Sequence, residues 1–206
     1  MIKSDKVRTK INPETKFILT QPPTKEDVAL DMRGYEPDEH PKTHWDQVPI
    51  KGNVILDLGA GHWNSCVPTT PEWFLAHGAK QVIAVDINAE SLRIIKALSS
   101  NIRGSKGKIK TINKKICSSR QISELINKYA PDAIKCDIEG AEVNLIGLRD
   151  KDFAKVKHYS VECHLFVDEK MTDRLREKFK RCGYLVEKCW SPEKHNVEII
   201  SASLPL

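Results

Sequence analysis

The chain has 206 residues, a length that favours one domain with a sizeable core. Hydrophobic residues make up 40% and charged residues 30%, which excludes a wholly disordered chain. No apolar run approaches the roughly 20 residues of a membrane span, and the first residues lack the apolar stretch of a secretory signal. The net charge of +5 is mildly basic and does not by itself indicate a nucleic-acid partner.

Cysteine usage bears on the compartment. The six cysteines are scattered and form no Cys-x-x-Cys pair, so their spacing supports neither a disulfide set nor a zinc site. In a chain of this size we expect reduced, mostly buried thiols and a cytoplasmic protein.

The first 52 residues differ from the rest because they are rich in proline and charge and poor in apolar side chains. Proline lacks a backbone donor and breaks helices. We therefore predict a proline-rich N-terminal extension or cap over residues 1–52 and a separate domain over residues 53–206.

From residue 53 onward, short apolar runs typical of buried strands alternate with helical patterns. The predicted strands are 54–58, 81–86, 109–112, 132–137, 158–162, 184–190 and 197–204. The predicted helices are 70–78, 89–102, 118–131 and 168–182, the third opened by a capping box at Ser118 to Gln121. This order predicts an α/β fold with a doubly wound, mostly parallel sheet, and an antiparallel edge where the last two strands have no helix between them.

The turn after the first strand reads Asp57-Leu58-Gly59-Ala60-Gly61, and glycine there lets the backbone come close to a ligand. The next strand ends in Asp86, an acid placed to bind a ribose diol. Strand, Gly-x-Gly, helix, strand and acid together predict a nucleoside cofactor. Asn64 stands where a dinucleotide fingerprint needs a small residue, and Asp57 would repel pyrophosphate but attract a sulfonium. These charges favour S-adenosylmethionine over NAD.

The fourth predicted strand carries Lys135 two residues before Asp137, so both side chains point to the same side. A buried ammonium is costly, and Lys135 must therefore have a charged partner or open onto a cleft. Asp137 falls at the carboxyl end of the strand, where open α/β sheets bind ligands. From the residues alone, a structural ion pair and a functional site both remain open.

The segment 132–148, with Lys135-Cys136-Asp137-Ile138-Glu139-Gly140-Ala141-Glu142, closely resembles the fourth strand of the FkbM family of S-adenosylmethionine-dependent methyltransferases. That family's strand reads Lys-x-Asp-[Val/Ile]-Glu-Gly-Ala-Glu and runs into a leucine-rich helix. The end of the fifth strand, Val161-Glu162-Cys163-His164, and the turn 57–60 are similar to the family as well. The resemblance covers about residues 53–204.

The resemblance implies a class I, Rossmann-like methyltransferase with a seven-stranded sheet, an S-adenosylmethionine-binding domain over residues 53–206, and transfer of a methyl group to oxygen. It assigns the cofactor's methionine end to the first turn, the ribose to the second strand end and the methyl group to the fourth and fifth. The predicted cofactor-binding residues are Asp57, Gly59, Ala60, Gly61, Asp86, Ile87, Asp137 and Glu139. Trp63 departs from the family, which has a glycine there. It caps the methionine end, helps to form the acceptor pocket, or packs on the next helix.

A hydroxyl acceptor must lose its proton. The predicted catalytic residues are Asp137, Glu162, Lys135 and His164: the two acids position cofactor and acceptor, and Lys135 or His164 handles the proton. The carboxylates with His164 can also hold Mg²⁺ or a transition metal, but the spacing does not demand it and we assign no metal ligand.

The acceptor is the least defined part of the prediction. A small-molecule, sugar or lipid-linked hydroxyl is favoured, and nucleic acid stays possible. An RNA acceptor is the alternative, supported by lysines in the N-terminal tail and over residues 106–115. A non-catalytic nucleotide-binding module is the third interpretation, although the retained Asp57, Asp86 and Asp137 argue against it.

Overall fold

The structure is a computed structural model that describes residues 48–61, 70–100, 104–190 and 196–205. Most of the predicted N-terminal extension, and the interpretations placed on Trp63 and Asn64, lie outside the described residues.

Within the described residues, seven strands form one sheet in the order β3-β2-β1-β4-β5-β7-β6. The strands are β1 (Val54–Leu58), β2 (Gln81–Asp86), β3 (Ile109–Asn113), β4 (Ala133–Cys136), β5 (His158–His164), β6 (Leu185–Trp190) and β7 (Val197–Ser203). The first five in spatial order are parallel, and β7 runs antiparallel to both of its neighbours. This confirms the predicted α/β fold with its antiparallel edge.

The helices cover both faces of the sheet, as a doubly wound fold requires. They are α1 (Thr70–Ala76), α2 (Ala89–Ser99), α3 (Ser119–Tyr129), α4 (Val143–Ile146), α5 (Asp150–Phe153) and α6 (Met171–Arg181). Alternate residues of β1 point to opposite faces: Ile55 packs with residues of α1, whereas Leu56 packs with residues of α3 to α6. Strands buried on both faces explain the near-continuous apolar runs of the sequence.

Helix boundaries show where sequence patterns were reliable. The capping box of α3 is confirmed, since Gln121 Oε1 accepts from the backbone N–H of Ser118 at 3.2 Å. The helix predicted over 89–102 ends at Ser99 instead. The leucine-rich helix expected after β4 is two single-turn helices, α4 and α5, because Arg149 between them is extended with ψ 139°.

Two expectations from composition can be compared with the fold. No helix among the described residues is long and apolar enough to span a membrane. Four of the cysteines have described side chains, and all four are free thiols, with Cys136 and Cys163 buried and Cys117 exposed.

The strand order places the site. β1 pairs in parallel with β2 on one side and β4 on the other, so the strand order runs outward in opposite directions from β1. Ligands of open α/β sheets bind outside the carboxyl ends of the strands at this reversal point. The turn after β1, Asp86 of β2, and the residues that follow β4 and β5 all meet at this edge.

Candidate active site

The turn after β1 is shaped by Gly59, which has φ +78°. Its N–H donates to the carbonyl of Val85 at 2.9 Å, so the turn is fastened to β2. On its other side, a Cβ built on Gly59 would lie 1.5 Å from the carbonyl oxygen of Asp137. Only glycine lets the turn pass this close to the exit of β4.

Asp86 organises the second half of the turn. Its Oδ2 accepts from the N–H of Gly61 at 2.7 Å, and its Oδ1 accepts from the N–H of Asn88 at 2.7 Å. A Cβ on Gly61 would lie 2.8 Å from that Oδ2 and 2.7 Å from Cβ of Ser91. Each carboxylate oxygen keeps a lone pair for a further donor, and Asp86 is partly exposed, so the arrangement fits a ribose diol.

The residue after this acid, Ile87, is 63% exposed despite being a large aliphatic side chain. Asn113 at the end of β3 holds its backbone, because Nδ2 donates to the carbonyls of Ile87 at 2.8 Å and Asp86 at 3.1 Å. The Asn113 side chain therefore fixes the Ile87 segment at the end of β2. Ala60, by contrast, is buried behind the turn.

Lys135 is 4% exposed and lies at the centre of the site. Its Nζ donates to the carbonyl of Gly59 at 2.9 Å and lies 3.4 Å from Oδ1 of Asp57 and 3.5 Å from Oδ2 of Asp137. The charged partner expected for this buried ammonium is therefore present twice. Burial lowers the pKa of Lys135, but the two carboxylates outweigh it and hold that pKa above its ordinary value.

Asp57 is fully buried beneath the turn. Its Oδ1 lies 3.4 Å from Nζ of Lys135, and through this lysine the carboxylate reaches the turn. Asp57, the acid expected to attract a sulfonium, is therefore paired with Lys135 beneath the turn. Its contact with the cofactor stays a prediction.

His164 ends β5 among three glutamates. Nδ1 lies 3.1 Å from Oε1 of Glu142, while Nε2 lies 3.3 Å from Oε2 of Glu139 and 3.7 Å from Oε1 of Glu162. A neutral imidazole has one N–H, so donation from both nitrogens requires the imidazolium. Burial lowers the pKa of His164, but the hydrogen bond to Glu142 and the charges of Glu142, Asp137 and Glu139 raise it to about 9.

Lys135 and His164 are the residues predicted to handle the acceptor's proton. Each faces two or more carboxylates in a buried position, and these carboxylates raise the pKa of both groups. Which group takes the proton stays a prediction.

The carboxylates of Asp137 and Glu162 converge although they come from different strands. Asp137 follows β4, Glu162 lies in β5, and each offers an oxygen within 4.8 Å of the other and of a His164 nitrogen. Such spacing can bridge a metal ion, but a metal would have to displace the proton of His164 and its glutamate contacts. We therefore assign no metal ligand.

Sequence reasoning missed Glu142, which is fully buried. Its Oε1 accepts from the backbone N–H of Ile138 at 2.7 Å as well as contacting His164. The sequence signal that could have identified Glu142 is its spacing: it lies four residues after Ile138, close enough along the chain for its carboxylate to turn back to that backbone N–H. Glu139 and Gly140 in that segment have φ +54° and +99°, and a Cβ on Gly140 would lie 2.4 Å from Cγ2 of Val167.

Comparison with known proteins places these features in a family. The family model described as "Methyltransferase FkbM domain" matches residues 55–186. A search of curated proteins finds no match.

Solved structures share the fold. Fibrillarin, a pre-rRNA processing protein from Methanococcus jannaschii, is 18% identical with a TM-score of 0.51 over 76% of this chain and 69% of its own. A protein of the NADB-Rossmann superfamily from Streptococcus agalactiae is 17% identical, with a TM-score of 0.53 over 79% and 66%. Magnesium protoporphyrin IX methyltransferase from Synechocystis, with bound SAH, is 13% identical, with a TM-score of 0.50 over 76% of each chain. At these identities the likeness shows the fold alone.

Proposed function

The chain belongs to the FkbM family of S-adenosylmethionine-dependent methyltransferases, and from this premise we propose that it methylates a hydroxyl group of a small-molecule, sugar or lipid-linked acceptor. The observation that carries the proposal is the convergence of Asp137 and Glu162 at the carboxyl ends of β4 and β5. Two carboxylates beside the proposed methyl position can orient a hydroxyl and take its proton.

The cofactor fits the residues at this edge. Asp86 offers lone pairs to a ribose diol, and the narrow turn at Gly59 and Gly61 brings backbone to the edge where the methionine end would lie. The exposed Ile87 offers an apolar surface to the adenine. Glu139 and Asp137 complete the proposed cofactor-binding set on the side of β4.

S-adenosylmethionine supplies a methyl group on a positively charged sulfur. In the transfer the sulfur–methyl bond breaks, the oxygen–methyl bond forms, and the hydroxyl proton leaves the acceptor. The chain's part is to hold the acceptor oxygen in line and to provide the proton's destination. We assign Glu162 or Asp137 as that destination, with Lys135 and His164 as neighbouring basic groups that hold the two carboxylates in place.

Replacing Asp137 with asparagine tests the charge at the proposed methyl position. A sulfonium is attracted by a nearby carboxylate, whereas the thioether of S-adenosylhomocysteine is neutral. We expect D137N to weaken S-adenosylmethionine binding about fivefold more than S-adenosylhomocysteine binding, or about 1 kcal/mol for a partly exposed pair. Calorimetric titration of both ligands measures this ratio without an acceptor.

The control for this experiment is Asp150→Asn, which removes a carboxylate on α5, before β5 begins and away from the carboxyl edge. It should leave the ratio of the two affinities unchanged. An unchanged ratio in D137N would place the sulfonium elsewhere. Titration with NAD, and an acceptor screen with methyl-labelled cofactor, complete the test; a chain that binds no S-adenosylmethionine is not the proposed enzyme.

A second acceptor class is favoured by one surface. The side chains of Lys106, Lys108 and Lys110 are exposed on and just before the edge strand β3, and Nζ of Lys110 lies 5.0 Å from the ring centre of Tyr129. A row of ammonium groups beside an aromatic ring suits an RNA strand. Lysines on an edge strand also prevent sheet-to-sheet aggregation, so this surface ranks second.

The RNA alternative predicts a steep salt dependence. Binding of a labelled single-stranded RNA should weaken with salt by a logarithmic slope of about 0.7 for each phosphate contacted. Reversing the charges of Lys106, Lys108 and Lys110 should lower that slope, whereas reversing the exposed Lys151 and Lys180 should not. Salt-insensitive binding, or none, would leave the small-molecule acceptor.

A further inference from the structure

We propose that Glu142 is a positioning residue that holds His164 as an imidazolium and, through it, sets Glu139 and Glu162 at the methyl-transfer edge. The inference rests on the proposed function, because it concerns how the carboxylates of that site are arranged. Glu142 does not reach the cleft, so it acts through His164.

The position of Glu142 is fixed by contacts on two elements. Its fully buried carboxylate accepts the N–H of Ile138 at 2.7 Å, which closes the segment that follows β4. The same oxygen lies 3.1 Å from Nδ1 of His164 on β5. One side chain therefore joins the exits of the two strands that carry Asp137 and Glu162.

The burial of Glu142 favours a cation beside its carboxylate. A buried carboxylate is stable only when it is paired and hydrogen-bonded. Among the described residues, the cationic group recorded in contact with Glu142 is His164, which is itself almost fully buried. The ring is packed edge-on against Phe166, with centroids 5.4 Å apart, so it cannot swing away from this partner without losing that contact.

The second nitrogen transmits the effect to the cleft. With Nδ1 committed to Glu142, Nε2 points at Glu139 and Glu162, at 3.3 and 3.7 Å. The Glu139 backbone is left-handed, with φ +54°. Four carboxylates face the imidazole. Asp137 and Glu139 follow β4, Glu142 directly precedes α4, and Glu162 lies in β5.

Glu142→Gln separates positioning from simple packing, since glutamine keeps the volume and can still accept from Ile138. The protein is expressed with isotope-labelled histidine, and the His164 NMR signal is identified by its absence from His164→Asn. In the wild-type protein this signal should titrate with a pKa near 9. In E142Q the midpoint should fall by about one unit or more. The matched control Glu139→Gln removes a carboxylate that is 54% exposed, and should shift it by less than half as much.

Function is followed in the same variants. E142Q should bind S-adenosylhomocysteine within about twofold of wild type but lower kcat about tenfold on the acceptor found in the screen. Glu142→Asp, which restores the charge, should recover part of the titration shift and of kcat. A structural role alone would alter stability without moving the His164 midpoint.

Several outcomes would overturn the proposal. An unchanged His164 midpoint in E142Q, or an unchanged kcat, would do so. If E142Q does not fold, two other results would overturn the proposal. One is a His164 titration midpoint near the ordinary 6.5 in the wild-type protein, and the other is a full kcat in His164→Gln. The titration and the S-adenosylhomocysteine affinity need no acceptor, so a Glu142-dependent midpoint without hydroxyl methylation would refute only the proposed acceptor class.

Discussion

Gly59→Ala is expected to remove about 4 kcal/mol of folding free energy and to abolish S-adenosylmethionine binding. Alanine pays about 1 kcal/mol for the left-handed φ of +78°, and the clash with the Asp137 carbonyl adds overpacking strain of up to about 3 kcal/mol. Relief would require the exit of β4 to move away from β1, which would also displace Lys135. Urea unfolding and calorimetric titration measure the two effects.

Gly52→Ala is the matched control, because Gly52 has a nearly identical φ of +80° but no atom within 4 Å of a built Cβ. It should cost only the conformational part, about 1 kcal/mol, and leave cofactor binding intact. Equal losses in the two variants would show that the close approach of the turn to β4 is not the constraint.

Lys135→Met is expected to destabilise the fold by about 3–5 kcal/mol, because it leaves the fully buried Asp57 carboxylate without its cation. That loss is a large fraction of the 5–15 kcal/mol that typically separates folded from unfolded states. Methionine matches the length of the lysine stem, so packing changes little. Chemical unfolding at neutral pH measures the loss.

Lys157→Met provides the surface comparison. Lys157 is 64% exposed and lies 3.0 Å from Asp132, so its removal should cost less than about 1 kcal/mol. A double variant, Asp57→Leu with Lys135→Met, should recover much of the stability lost by Lys135→Met while remaining unable to hold the turn through the Gly59 carbonyl. If Lys135→Met were no worse than Lys157→Met, the buried pair would not be structural.

The fold was largely readable because its central strands are buried on both faces and α3 opens with a capping box. Even the weakest strand, β3, was found from its short apolar alternation at Ile109 to Ile112. The order of strands was not readable, because nothing in the run of β7 shows that it enters between β5 and β6. The break between α4 and α5 also depends on one extended residue, Arg149, which has no strong turn preference.

At the site, the sequence indicated which residues meet but not their charge states. Glycines, Asp86 and the Lys135–Asp137 spacing are local signals, and all of them fall at one edge. The state of His164 depends on Glu142 and Glu139, which lie more than twenty residues earlier in the chain. Only their three-dimensional arrangement shows that this histidine is enclosed by carboxylates on both nitrogens.

The insertion of β7 has a consequence for biosynthesis. In the described sheet, β6 pairs with β7 rather than with β5, although it is translated first. When β6 has emerged from the ribosome, its pairing partner β7 has not yet been synthesised. β6 therefore has no strand to pair with until residues 197–203 emerge and pair with β5. During that interval the backbone edge of β5 is uncovered, which is the kind of exposed edge that recruits other chains.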